Sequence, residues 1–177
     1  MAQLSKKEII NIKLKALLAS CKDGNFLSAL KDVNELIEKF PDFTILLNFK
    51  GKILLALNNL EGSLTCYLKC LEEKELRLDS YLNIGLISKK MGKIDEAMNS
   101  YMEALNIDSK NIGALNNLGN LLNEKGEYDS AIEKFKEAIE IEPTYVGAYN
   151  NLALVYRKNG DIEKAILNYK KALKLQP

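Results

Sequence analysis

Residues 116–143, NNLGNLLNEKGEYDSAIEKFKEAIEIEP, come back at 150–177 as NNLALVYRKNGDIEKAILNYKKALKLQP. The offset is 34 residues, without a gap. A repeat of that length is one supersecondary unit copied, and each copy must bury its apolar face against the next. Following the period backwards gives a lead-in, 1–9, and units 10–43, 44–77, 78–111, 112–145 and 146–177, the first two degenerate. One column reads Gly24, Asn58, Gly92, Gly126, Gly160, and another Ala29, Ser63, Ala97, Ala131, Ala165. A third holds Leu17, Gly51, Gly85, Gly119, Ala153, and large residues fill a fourth: Val33, Tyr67, Tyr101, Phe135, Tyr169.

Within 112–145, Leu115, Leu118, Leu121 and Leu122 recur at helical spacing. Lys125-Gly126-Glu127 breaks that helix, because glycine adopts left-handed backbone angles without steric penalty. Tyr128, Ala131, Ile132, Phe135, Ala138 and Ile139 form a second apolar stripe, and Pro143 stops it. Each unit therefore reads as two helices joined by a tight turn. The small columns admit close backbone approach and the aromatic columns fill the adjoining space. The expectation is an all-α fold of five helix pairs, with Ala131 and Ala165 buried.

These residues resemble the tetratricopeptide repeat (TPR). Tyr81, Ile84-Gly85, Gly92, Ala97, Tyr101 and Ala104 follow its pattern. So do Leu115, Leu118-Gly119, Gly126, Ala131, Phe135, Ala138 and Pro143, and Tyr149, Leu152-Ala153, Gly160, Ala165, Tyr169, Ala172 and Pro177. Units one and two depart from it at Lys13, Leu17 and Lys50; Glu75 and Ser109 stand where proline is common. The resemblance implies an all-α right-handed superhelix, a solenoid of αα pairs with a concave groove lined by the first helix of every unit.

Composition excludes several functions. Net charge is +1, so nothing in the total draws the chain to nucleic acid or a membrane surface. The greasiest stretch, ILLNFKGKILLAL, is cut by Lys50 and Lys52, and no membrane insertion is expected. The N-terminus lacks the apolar core of a signal peptide, and the odd set Cys21, Cys66 and Cys70 fits reduced thiols, so the expected location is cytoplasmic. With no histidine, the commonest general base and metal ligand is missing. Cys66 and Cys70 share a helix face as half a metal site would, but no second pair completes it, and Cys70 occupies a column of small buried residues. No enzyme activity, cofactor or metal is expected.

Binding remains. The resemblance implies that first-helix residues face the groove. There Lys15, Lys22, Lys52, Lys89, Lys90, Arg157 and Lys158 outnumber Asp79 and Glu124. Asn83, Asn117 and Asn151 fall in one column, with Asn116, Asn120, Asn150 and Asn48 beside it. An asparagine amide offers both donors and an acceptor, and can pair with a peptide unit whatever its side chain. The column is similar to the asparagine ladder of the TPR domain in O-linked N-acetylglucosamine transferases, which grips extended polypeptide. The expected peptide contacts are Asn83, Asn117, Asn151, Asn116, Asn120, Asn150, Asn48, Lys52, Lys89 and Arg157, and the expected partner is an extended, neutral-to-acidic segment. The family's two-carboxylate clamp for chaperone tails is not matched.

No unit follows the fifth, which closes at Pro177. Tyr169, Leu173, Ala165 and Ala172 occupy columns that elsewhere meet the next unit, so this end is expected either to self-associate or to continue in a longer native chain. At the other end Ser5 and Glu8 form a capping box, and Lys6, Lys7 and Lys13 make the face polar. The leading reading is a non-catalytic adaptor. The alternatives are a scaffold stacking through its ends or convex face, and the substrate-recruiting fragment of a larger enzyme.

Overall fold

In the computed structural model, which describes residues 5–176, the helical period becomes five successive helix pairs. They are α1 (Lys6–Lys22) with α2 (Phe26–Lys39), α3 (Ile45–Ala56) with α4 (Leu60–Cys70), and α5 (Arg77–Lys90) with α6 (Ile94–Ile107). Then follow α7 (Ile112–Lys125) with α8 (Tyr128–Ile141), and α9 (Val146–Lys158) with α10 (Ile162–Leu175). No strand occurs among the described residues. Residues 1–4 of the lead-in and the expected stop at Pro177 lie outside them.

The first helix starts four residues ahead of the period. Its cause is the capping box: Glu8 N donates to Ser5 Oγ at 3.3 Å, and Ser5 N donates to Glu8 Oε2 at 2.8 Å. The Ser5 hydroxyl, which also donates to Glu8 Oε2 at 2.7 Å, and then the Ser5 N–H hold the Glu8 carboxyl below its ordinary range. A depressed carboxylate stabilises the fold above its unfolded pKa and loses that contribution as pH falls through its folded value. Glu8→Gln is therefore expected to lower the melting temperature at pH 7, and the gap to the parent should close below about pH 4. Equal melting at neutral pH would show that the cap contributes nothing.

The turn inside each pair has one geometry. Gly24, Asn58, Gly92, Gly126 and Gly160 all take positive φ, between 59° and 86°. Gly126 N donates to Asn123 O at 3.2 Å and Glu127 N to Leu122 O at 2.9 Å, the paired bonds of a Schellman motif. Asn58 repeats it in unit two with Asn59 N donating to Leu54 O at 2.8 Å; asparagine is the side chain that best tolerates this backbone. Where Glu75 replaces proline, the link makes a short 3-10 turn, Lys74–Leu76, before α5.

The helices form two compact units, one up to Met91 and one from Gly92. In the first, Leu17 and Val33 share a core with Ile10, Leu14, Leu36, Leu46 and Ile53. Further along, a Cβ on Gly51 would lie 2.9 Å from Tyr67 Cε2, so that ring lies directly on bare backbone. Ser63 replaces alanine in its column because its Oγ donates to the Gly51 carbonyl at 2.7 Å. In the second unit Gly119 receives the fully buried Phe135 ring in the same way. Ala131 and Ala165 are buried, as the column requires.

Candidate functional site

In the second unit the first helices α7 and α9 carry the asparagines. Asn151 Nδ2 donates to Asn116 Oδ1 at 2.8 Å, and Lys158 Nζ donates to Asn123 Oδ1 at 3.1 Å. Each bond joins residues 35 apart, one position beyond the 34-residue repeat, and so ties α9 to α7 diagonally; the Asn116 amide hydrogens and Asn151 Oδ1 stay uncommitted. Asn117 and Asn120 are half-buried and Asn150 is exposed. Burial pushes the Tyr101 hydroxyl up to about 12, and the neighbouring Asn117 amide opposes the shift. That hydroxyl nonetheless has no partner in hydrogen-bond geometry, so the Asn117 amide is not held by it. Arg157 and Lys158 stand exposed at the end of α9.

The first unit closes its polar groups on themselves. Asn48 was expected to face a ligand, yet it is 2% exposed, and its Nδ2 donates to Asp79 Oδ2 at 2.7 Å. Lys52 Nζ lies 3.2 Å from the same oxygen, so the base expected to attract an acidic partner already has a carboxylate beside it. Asn83, half-buried, donates its Nδ2 to the Asp79 carbonyl of its own helix at 2.7 Å. Lys89 is half-buried. The expected site residues thus differ in state: those of the second unit present free amide atoms, whereas Asn48 is locked inside the fold. Asp79, which organises the first unit, was not expected. Only its position on the inner face beside Asn48 and Lys52 hinted at the role.

At the C-terminal end, Tyr169 is 38% exposed and Leu173 66%. Ala165 and Ala172 were expected to share that surface, but each is only 3% exposed; they turn inward onto their own helix pair.

The three cysteines are free thiols, Cys21 partly exposed and the other two inside the fold. Cys66 and Cys70 are buried, and Cys70 Sγ lies 3.8 Å from the Thr44 carbonyl. Burial above all, then the neighbouring Cys66 and Asp79, pushes the Cys70 thiol up to about 11. Cys66 is likewise raised by burial, partly opposed by Lys50 and Lys69. A thiol reagent at pH 8 is expected to modify the partly exposed Cys21 slowly in the native protein, and Cys66 and Cys70 only after unfolding. Native labelling of Cys70 would contradict this burial. Among the described residues no group of His, Cys, Asp and Glu is arranged to hold a metal, and no helix is long and apolar enough to cross a membrane.

Helix pairs on a fixed period, joined by left-handed turns with small residues facing aromatic ones, agree with three family profiles. One described as "TPR repeat" matches residues 85–122 and 119–160, and two described as "Tetratricopeptide repeat" match 46–75 and 146–177. The chain belongs to the tetratricopeptide repeat family. It has that family's all-α solenoid fold of helix pairs. No curated protein sequence matches the chain. Among solved structures it is similar to a MamA protein, at 21% identity and TM-score 0.80 over 94% of this chain and 91% of that one. The MamA fragment from Desulfovibrio magneticus RS-1 shares 16% identity at TM-score 0.83, covering 94% of each chain. YrrB, described as a TPR protein with an unusual peptide-binding site, shares 18% identity at TM-score 0.74, over 93% of this chain and 85% of that one.

Proposed function

We propose that the protein is a non-catalytic interaction scaffold whose second unit holds an extended, neutral-to-acidic peptide against the asparagines of α7 and α9. The observation that carries this reading is the set of amides on α7 and α9 beside the linked pair Asn116–Asn151: Asn120 and Asn150, which make no hydrogen bond within the fold, and Asn117, which only borders the Tyr101 hydroxyl. Packed helices lie about 8–10 Å apart, and an extended peptide advances about 3.3 Å per residue, so equivalent asparagines of successive repeats meet it about once every three residues. Because each amide pairs with peptide C=O and N–H groups, recognition depends on extended backbone more than on sequence. Arg157 and Lys158, both exposed at the end of α9, outnumber Glu124 among the inner-face charges of α7 and α9 and add the preference for neutral-to-acidic segments. The structural likeness to YrrB, whose own description includes peptide binding, supports the same reading. The free thiols fit a cytoplasmic setting.

The test is selection from a displayed library of random peptides about nine residues long, which span roughly 30 Å when extended. Enriched peptides are expected to be extended, neutral to acidic and diverse in side chain. On binding they should shift the side-chain amide NMR signals of Asn117, Asn120 and Asn150. Enriched peptides that leave those signals unmoved would overturn the assignment.

A further inference from the structure

We propose that α10 is a self-association helix, pairing antiparallel with α10 of a second copy about a two-fold axis. Ile162, Ile166, Tyr169 and Leu173 are 52%, 49%, 38% and 66% exposed. The same columns in the earlier second helices are Phe26, Leu30, Val33 and Ile37; Leu60, Leu64, Tyr67 and Leu71; Ile94, Met98, Tyr101 and Leu105; and Tyr128, Ile132, Phe135 and Ile139. Every one of those residues is buried or half-buried. In each case the first helix of the following repeat packs on the stripe: α3 on α2, α5 on α4, α7 on α6 and α9 on α8. In α10 alone, among the described residues, the stripe is open.

Its four residues step by four, three and four positions, the spacing of a helix–helix seam. The helix that covers α8 is α9, which follows after a short link and runs back antiparallel to it. A two-fold axis across α10 brings a second α10 onto the first in that same sense. Placing Ile166 opposite Tyr169 of the partner subunit also places Ile162 opposite Leu173 of the partner subunit. Glu163 then faces Lys170 of the partner subunit along one flank, and symmetry makes that ion pair twice. On the other flank stand Ala165 and Ala172, small and already turned inward, so they leave the approach clear.

This charge complementarity favours a second α10 over the N-terminal helix of another copy. Where later first helices have Leu47, Tyr81, Leu115 and Tyr149, α1 presents the exposed Lys13, which would set an ammonium group into the seam.

Sedimentation over a concentration series is expected to show a monomer–dimer equilibrium. Tyr169→Glu combined with Leu173→Glu should abolish it with helix content unchanged by circular dichroism. Glu163→Lys and Lys170→Glu, both at exposed positions, should each weaken association about tenfold, and the two together should restore it. A parent chain that stays monomeric up to about 1 mM, where even weak pairing is populated, overturns the proposal. It would leave the seam to a following helix of a longer chain or to a different protein. A dimer indifferent to Tyr169→Glu/Leu173→Glu, or a charge exchange that fails to restore association, overturns the antiparallel pairing.

Discussion

Gly119→Leu is expected to destabilise the second unit by about 3 kcal/mol, and Phe135→Val in the same chain to recover a large part of that loss. A Cβ at Gly119 would sit 2.8 Å from both Cε1 and Cζ of Phe135. That ring is fully buried, with no room to withdraw, so the added side chain must displace packed core. Phe135→Val alone leaves a void and should cost about 2–4 kcal/mol. The combination is different because the first unit already uses it: Leu17 and Val33 stand in these two columns, 3% and 0% exposed, in one core. Bulk has moved there from the second helix to the first, and the space is still filled. The coupling between the two substitutions should therefore favour the double variant by about 1–3 kcal/mol. Chemical denaturation of the parent, both single variants and the double variant measures it. Strictly additive losses would show that the two columns do not face each other as described.

This exchange also shows what the sequence makes legible. The columns fix which helices form, where they turn and which position is small, because those properties are set locally or by the next copy of the same unit. The Gly24, Asn58, Gly92, Gly126, Gly160 column could be read directly: all five residues need the left-handed region, and even the asparagine fits. The early start of α1 was also written, in Ser5 and Glu8, although counting from the period hid it. The site was less legible. Asn48 sits on the expected inner face, but Asp79 reaches its amide from α5, 31 residues on. Whether a polar side chain there meets a ligand or a neighbour depends on side-chain reach across packed helices, which periodicity does not encode. Ala165 and Ala172 were misplaced for a related reason: a column that meets the next unit through its large members is held inside the pair by its small ones.

The second large effect is expected in binding. Asn120 and Asn150 make no hydrogen bond within the fold, and Asn117 only borders the buried Tyr101 hydroxyl, so removing their amides leaves the helices intact and takes away chiefly contacts made to a ligand. A neutral hydrogen bond contributes about 0.5–1.5 kcal/mol net, so three lost bonds weaken binding at least about tenfold. Asn48→Ala should behave in the opposite way. It removes a buried bond to the Asp79 carboxylate, which should destabilise the first unit by about 1.5–3 kcal/mol and leave affinity unchanged. The contrast separates an amide that binds from an amide that holds the fold.

The most direct measurement is a calorimetric titration of a library-selected peptide into the parent and into the Asn117→Ala, Asn120→Ala, Asn150→Ala variant. The account predicts at least about a tenfold loss of affinity in the variant, with its thermal unfolding unchanged. Equal affinity for the two proteins would contradict the asparagine surface as the binding site.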